Sequence, residues 1–202
     1  MRWMEYVEHA PPADLRRHLQ CLWILRDDAP DDAIQVIYPD GRCELLAELG
    51  VPLRFHGPDG EIRADQALAF AGQQLGPIRL QATGPVHCIG VRLTAASGRL
   101  IAGEQLPALR DRAPDLRTLD AGFAEAFHAA ATACVDAESP EPLWALLRQR
   151  CAAFAADALV ERAVESLDAA DGDLRIAALA KALGCSLRTL QARFLAAVGM
   201  TP

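Results

Sequence analysis

The segment 173–202 carries the pattern that most constrains how this chain folds. Its apolar residues recur at the i, i+3, i+4, i+7 spacing of an amphipathic helix: Ile176, Leu179, Ala180 and Leu183. Gly184 then ends that helix, and Ser186 offers a side-chain oxygen that can cap a second one. Two short helices joined by a tight glycine-containing turn form a helix-turn-helix, whose second helix can enter a DNA major groove.

The second helix of this segment separates apolar from polar residues. Its predicted buried residues are Leu190, Phe194, Ala197 and Val198, and Gly199 ends it. Arginine can donate two hydrogen bonds to guanine, and glutamine can bond adenine in the same way. The DNA-binding candidates are the cap and the outward residues: Ser186, Arg188, Thr189, Gln191, Ala192 and Arg193. An ordinary helical hairpin with a polar outer face is the alternative, because short helix-turn-helix signals recur by accident.

The run 176–202, IAALAKALGCSLRTLQARFLAAVGMTP, resembles the first helix-turn-helix of AraC-type (AraC/XylS) transcription regulators. The resemblance implies that Arg188, Gln191 and Ala192 approach the bases, although an arginine often stands at the position of Ala192 in that family. The DNA-binding domain of that family has two such motifs joined by a long helix. The sequence stops at Pro202, where that helix would begin, so the resemblance predicts a DNA-binding domain truncated after its first motif.

The N-terminal part reads as a series of short strands, each bounded by glycine or proline. The predicted strands are 3–9, 21–26, 33–38, 43–49, 51–56, 67–71, 78–83 and 86–93. Such spacing favours an antiparallel barrel or sandwich. The turn signal Pro39-Asp40-Gly41 predicts that the strands on either side of it pair as a hairpin, and residues 14–20 suit a two-turn helix.

Beyond residue 95 the pattern changes to the helical period. Alanine-rich helices are predicted at 121–135 and 143–156, and a helix at 157–167 would support the helix-turn-helix. The expected fold class is therefore α+β. It divides into a β-rich sensor or dimerisation domain over 1–110, linker helices over 111–156 and a partial DNA-binding domain over 157–202.

A second resemblance covers most of residues 1–110. It is to the uncharacterised N-terminal domain of a subgroup of AraC-type regulators. The residues that carry it are Tyr6, Glu8, Pro11, Leu15, Trp23, the Tyr38-Pro-Asp-Gly41 turn, Gly72 and Gly90-Val-Arg-Leu93. This resemblance implies a small cupin-like barrel with an unknown ligand.

A barrel mouth with a few polar groups among apolar walls is a suitable place for a small molecule. Trp23 and Tyr38 could form an aromatic wall, and an arginine on a strand could meet an anionic ligand. The ligand-binding candidates are Trp23, Tyr38, Arg42, His56, His87 and Arg92. Core or surface roles are the alternative for all six.

The sequence gives little support for catalysis or metal binding. The cupin metal pattern is absent, and the adjacent His87 and Cys88 would point to opposite faces of a strand. No Ser-His-Asp, GxSxG, P-loop or GxGxxG motif appears. We therefore expect no catalytic residue, no metal and no cofactor, and a protein that is not an enzyme.

Charge and composition fit a regulator. The net charge is −7, yet the segment 173–202 carries +3 and the remainder −10, as expected for an acidic sensor joined to a DNA-binding end. The start lacks a signal-peptide core and no run approaches a membrane span, so a cytoplasmic protein is expected. The six cysteines show no metal spacing and are expected to be free.

These observations predict a sequence-specific DNA-binding transcription regulator with an N-terminal sensor barrel. Its expected partners are double-stranded DNA, an unknown small-molecule effector and a second copy of the chain. The alanine-rich helices 121–135 and 143–156 are expected to carry self-association. The alternative is a stand-alone small-molecule-binding or enzymatic barrel whose helical tail serves assembly.

Overall fold

The computed structural model describes residues 4–57, 59–171 and 173–202, and within them the N-terminal half forms two antiparallel sheets. One sheet has five strands in the order β1-β2-β9-β4-β7, and the other has four in the order β3-β8-β5-β6. The strands are β1 (Met4–His9), β2 (Leu19–Asp27), β3 (Ile34–Ile37), β4 (Glu44–Glu48), β5 (Arg54–His56), β6 (Ile62–Ala64), β7 (Leu68–Ala71), β8 (Ile78–Gln81) and β9 (Val86–Leu93).

Helices follow the sheets and make the protein a mixed α/β structure. The described helices are α1 (Arg99–Ala102), α2 (Ala121–Asp136), α3 (Glu141–Ala152), α4 (Ala158–Ala169), α5 (Ile176–Ala182) and α6 (Leu187–Val198). Short 3-10 segments at Ala95–Ser97, Gly103–Leu109 and Leu116–Thr118 connect the last strand to α2. None of the helices in the described ranges is long and apolar enough to cross a membrane.

The main core lies on one face of the five-stranded sheet. Successive side chains of a strand point to opposite faces, so alternate residues of β2, β4, β7 and β9 are turned toward the same side. That side carries buried apolar residues, among them Leu22, Leu45, Phe70, Ile89 and Val91. Helices α2 and α3 cover this face, and their large apolar side chains are all turned inward: Phe123, Phe127, Leu143, Trp144 and Leu147.

A second hydrophobic cluster holds the C-terminal helical unit, which we define as α4, α5 and α6 with Asp157, the N-cap of α4. Its buried residues come from all three helices: Val160, Ala163, Leu179, Ala180, Leu190, Phe194, Ala197 and Val198. Ala95 and Ala96, which follow β9, belong to the same cluster. The unit is therefore packed against the rest of the protein, which we call the body, through these alanines and through the 3-10 segment Gly103–Leu109, whose Leu106 lies next to Gly199.

Two ion pairs also join α4 to the body. The Arg17 guanidinium donates hydrogen bonds of 2.7 and 2.8 Å to the Glu161 carboxylate. Arg42 donates a 3.1 Å hydrogen bond to Asp168. Charge complementarity thus reinforces the packing of the unit on the body.

The hairpin predicted between 33–38 and 43–49 is wrong. β3 pairs with β8 in the four-stranded sheet, whereas β4 pairs with β7 and β9 in the other sheet. The reason lies in the residues, because every position of β3 is exposed while β4 alternates toward the main core. The Pro39-Asp40-Gly41 turn, with Gly41 at φ 74°, carries the chain from one sheet to the other.

Other sequence-based elements change in detail. Residues 14–18 form turns rather than a helix, because only isolated turn bonds such as those of the His18 and Leu19 N–H groups to the Leu15 carbonyl are made, and β2 already begins at Leu19. β6 was not predicted, because its three residues carry no strand-length pattern. The helix predicted over 143–156 spans Glu141–Ala152. Trp3, the first residue of the first predicted strand, lies outside the described residues.

Gly72, which follows β7, allows the backbone there to lie close to the backbone of Leu109, in the segment before α2. A Cβ added at Gly72 would collide with the carbonyl oxygen of Leu109, which is backbone and cannot rotate away. At Gly76, four residues later, an added Cβ would meet no atom within 4 Å.

We therefore expect Gly72→Ala to lower the free energy of unfolding by about 1–3 kcal/mol through overpacking. Gly76→Ala is the matched control and should stay within about 0.5 kcal/mol of the parent. Urea denaturation of both variants measures the difference. Equal midpoints for the two would contradict the close approach.

Candidate nucleic-acid interface and polar sheet face

The turn between α5 and α6 is set by local chemistry that the sequence predicted. Gly184 adopts φ 71°, a conformation that favours glycine, and closes α5. Ser186 then caps α6, since its Oγ accepts a 3.0 Å hydrogen bond from the Thr189 N–H. Gly199, at φ 91°, ends α6 in the left-handed region.

The burial of α6 decides which side chains reach solvent. Leu190, Phe194, Ala197 and Val198 are buried against α4 and α5. The opposite face is exposed and carries Arg188, Gln191 and Ala192, with Ser186 and Thr189 at its N-terminal end. Five of the six predicted DNA-binding residues therefore lie on the exposed face or the N-terminal end of α6, whereas the sixth, Arg193, is turned toward α4.

Arg193 differs from the other candidates because its guanidinium is already engaged. It donates hydrogen bonds of 2.7 and 2.5 Å to Asp157, which also accepts the N–H groups of Leu159 and Val160 as the N-cap of α4. Burial alone would raise the pKa of Asp157, but the bonds from Arg193 and the backbone lower it overall. In this arrangement Arg193 fixes α6 relative to α4.

Positive charge on the remaining exposed side of the unit is available. Arg175, Lys181 and Arg188 are exposed, and in the described residues none of the three makes an ion pair. Two of the three acidic residues of α4, Glu161 and Asp168, are paired with the body. The surface around α5 and the start of α6 is thus locally basic.

Of the six predicted ligand-binding residues, only Trp23 and Arg92 come together. Both lie on the face of the five-stranded sheet opposite the main core, and both bond the Glu44 carboxylate, at 3.2 Å from the indole Nε1 and 2.7 Å from the Arg92 Nε. A Cβ at Gly90 would overlap the Trp23 ring, so this glycine lets the indole lie flat on the sheet.

The other four candidates are dispersed, which corrects the predicted site. Tyr38 is 75% exposed just after β3. Arg42 contacts Gln20 and Asp168. His56 bonds Gln81 at 2.9 Å in the four-stranded sheet, and His87 lies 3.2 Å from the Arg26 Nε in the other. The strand predictions were sound, but the sheet to which each strand belongs was not known from the sequence.

Arg92 is the centre of a polar cluster that sequence reasoning had largely missed. Its guanidinium lies 2.7 Å from Glu44, 3.2 Å from Asp40 and 3.7 Å from Glu8. Burial alone would lower the pKa of Arg92, but these carboxylates raise it overall. One sequence signal pointed to a polar sheet face here: Glu44 and Glu48 are four residues apart on a predicted strand, so both side chains lie on the same face.

Tyr6 extends this cluster toward the edge of the sheet. Its hydroxyl donates a 2.6 Å hydrogen bond to Glu8, and its ring centroid lies 6.1 Å from that of Trp23. Burial and the bond to Glu8 raise the pKa of the phenol. The group combines two aromatic rings, one guanidinium and three carboxylates on one accessible sheet face.

Glu48 of β4 and Cys88 of β9 are cross-strand neighbours, four residues along each strand from Glu44 and Arg92. Cys88 is buried and Glu48 is partly buried. One carboxylate oxygen of Glu48 is buried and has no hydrogen-bond partner among the described residues. Burial raises the pKa of Glu48 to about 7, with Asp65 adding to the rise and a hydrogen bond from the Cys88 thiol opposing it. Burial raises the pKa of Cys88 well above its ordinary value.

The described residues contain no candidate metal site and no disulfide. Within the described ranges no group of three histidine, cysteine or acidic side chains is placed to hold a metal ion. All six cysteines are described and free, and five of them are buried. Cys185, in the turn before α6, is the partly exposed one.

A comparison of the chain with known protein families found one match. The family described as "Domain of unknown function (DUF6597)" matches residues 7–115, which include both sheets except the start of β1 and end just before the 3-10 segment Leu116–Thr118. A comparison with curated proteins gave no match.

Three solved structures show limited likeness. The AraC-like transcriptional activator CuxR is 12% identical, with 96% of this chain and 88% of that chain covered and a TM-score of 0.43. An ethanolamine utilization protein Q from Salmonella typhimurium LT2 is 14% identical over 45% of this chain and 68% of its own, with a TM-score of 0.35. The iron(II) form of HppE is 15% identical over 45% and 56%, with a TM-score of 0.30. These scores are too low to support an inference about this chain.

The Glu48 carboxyl should make the stability of the protein depend on pH. Its folded pKa of about 7 lies above the ordinary value of 4.5, so between these pH values the folded state holds more protons than the unfolded state. Stability therefore falls as the pH rises through this window. Because Gln cannot ionise, Glu48→Gln should remove a pH-dependent loss on the order of 2 kcal/mol between pH 5 and pH 8.

Urea denaturation at both pH values measures that loss, with Glu5→Gln on the exposed β1 as the control. The Glu5 variant should keep the pH dependence of the parent. If Glu48→Gln also keeps it, the carboxyl does not titrate in this window.

Proposed function

The chain belongs to the DUF6597 family, and from that premise we propose that it is a transcription regulator that binds double-stranded DNA through α5 and α6. The observation that carries the proposal is the division of α6. Its apolar side is buried against α4 and α5, while Arg188 and Gln191 are exposed, unpaired within the described residues and suited to base edges. The resemblance of 176–202 to the first helix-turn-helix of AraC-type regulators supports the same assignment.

The residues of α6 take different roles in this proposal. Arg188, Gln191 and Ala192 face the bases. Ser186 and Thr189, at the N-terminal end of the helix, share a 2.7 Å hydroxyl hydrogen bond, and the remaining hydroxyl hydrogen of that pair can be donated to a phosphate. Arg193, through Asp157, holds the reading helix against α4. The exposed Arg175 and Lys181 add attraction to the phosphate backbone.

Regulation by a small molecule completes the proposed function. The body presents polar and aromatic groups on the sheet face around Arg92, and the C-terminal helical unit is held to the body by ion pairs and small side chains. A bound molecule that changes this contact would change the presentation of α6. A small-molecule-binding or enzymatic protein with a helical assembly tail is the rival, and the accessible cluster around Arg92 is the feature that favours it.

We propose in addition that the protein forms a homodimer, and that β3 is the contact. β3 is an edge strand whose Ile34, Val36 and Ile37 are 47, 43 and 48% exposed. Exposed apolar edge strands are prone to pair with another chain. The helices expected from sequence to carry self-association have turned their large apolar side chains into the main core, which leaves alanines and polar residues outside.

For DNA binding, Arg188→Ala should weaken binding to the preferred site by roughly 1–3 kcal/mol and binding to random DNA much less. The site is first selected from genomic fragments, and fluorescence anisotropy then measures both affinities for the full-length protein. Arg110→Ala, an exposed arginine of the body, is the control and should leave both unchanged. Equal losses on both DNAs would make Arg188 a phosphate contact, and no loss on either would remove it from the interface.

For self-association, Val36→Glu should shift the protein from dimer to monomer in sedimentation velocity, because it places a charge in the apolar contact. Ala129→Glu, on the exposed side of α2, should leave the dimer intact. The reverse outcome would place the interface on the helices.

A further inference from the structure

A cavity of about 510 Å³ lies between the body and α4. Apolar side chains line part of it, among them Leu19, Ala95 and Val164. Volumes of this size accommodate small organic molecules. Because the two walls belong to the body and to the C-terminal helical unit, a molecule in the cavity would contact both.

The walls carry opposite charges. Arg16, Arg17 and Arg42 line the body side. Glu161, Glu165 and Asp168 line the other, at positions i, i+4 and i+7 of α4, which places them on one face of the helix. Gln20 adds a side-chain amide to the body wall, and its oxygen accepts a 3.0 Å hydrogen bond from Arg42. The body wall is thus dominated by guanidinium donors.

The α4 carboxylates already occupy the places that an anion would take. Glu161 meets the Arg17 fork through both oxygens, which is the bidentate geometry by which arginine recognises carboxylate and phosphate groups. Asp168 meets one nitrogen of Arg42. The Arg17 and Asp168 side chains are 59 and 57% exposed, whereas their partners Glu161 and Arg42 are 19 and 20% exposed. Because solvent reaches one partner of each pair, a dissolved anion can compete for the arginines.

We propose that this cavity binds a small organic anion, a carboxylate or a phosphate ester, which competes with Glu161 and Asp168 for Arg17 and Arg42. Its apolar part would contact the Leu19 and Val164 side of the cavity. Binding breaks the two ion pairs that join α4 to the body and loosens the C-terminal helical unit. The effect on DNA reading rests on the function proposed above, whereas anion binding and the loosening do not.

The proposed competition between the anion and the α4 carboxylates can be tested by isothermal titration calorimetry, by removing either the arginines or the carboxylates. Inorganic phosphate and succinate are the anionic probes, putrescine is the cationic one, and sodium chloride keeps the ionic strength constant. Both anions should bind saturably to the parent protein, and Arg17→Gln/Arg42→Gln should abolish that binding. Glu161→Gln/Asp168→Asn, which removes the competitors, should tighten it roughly fivefold to twentyfold.

Arg148→Gln is the matched control, because Arg148 forms exposed ion pairs with Asp14 and Glu141 outside the cavity. It should bind the anions as the parent does. If the double α4 variant folds poorly, Asp168→Asn alone carries the same test. Unchanged affinity after removal of the carboxylates, anion binding that survives loss of both arginines, or saturable binding of putrescine alone would each overturn the proposal.

Hydrogen exchange followed by mass spectrometry tests the loosening without any DNA. Succinate should increase exchange in the segments 94–102 and 158–169 of the parent protein, and leave the sheet strands unchanged. Binding without this increase would overturn the competition. Failure of the protein to bind DNA would leave both of these measurements unaffected, so the two proposals can fail separately.

Discussion

Burial of one face of the five-stranded sheet is the constraint on which the rest of the structure depends. Because side chains alternate along a strand, packing Leu45, Ile89 and Val91 beneath α2 and α3 forces their neighbours to the other side. Those neighbours are Glu44, Gly90 and Arg92, and they form the polar cluster with Trp23. A shift of one residue in the register of β9 would exchange the two sets and bury the guanidinium in the core.

The contact between the body and the C-terminal helical unit has a different physical basis. Ala95 and Ala96 bring the backbone close to α4 and α6, yet their methyl groups bury little apolar area. The two arginine–carboxylate pairs add attraction that solvent and salt weaken. The unit is packed internally through Leu190 and Phe194, and its helix α6 also lies against the 3-10 segments Ala95–Ser97 and Gly103–Leu109 of the body.

Local chemistry was predictable from the sequence, whereas the pairing of distant segments was not. Ser186, Gly184 and Gly199 act within one or two turns, and the structure gives each the capping or terminating role that its residue type predicts. The ligand candidates are dispersed for the opposite reason. Whether His56 and Arg92 meet depends on which sheet each strand joins, and nothing within either strand specifies that. Glu44 was missed because its importance comes only from its position between Trp23 and Arg92.

The distribution of charge explains how an acidic chain could bind DNA and how an anion would alter that binding. The net charge is −7, and α4, which packs against α6, carries three carboxylates. Arg193 offsets Asp157, and the body's Arg17 and Arg42 offset Glu161 and Asp168. An anion that took these two arginines would leave both α4 carboxylates uncompensated and release the helix that carries them. Negative charge next to α6 repels phosphates, so under the proposed function the anion should weaken DNA binding rather than strengthen it.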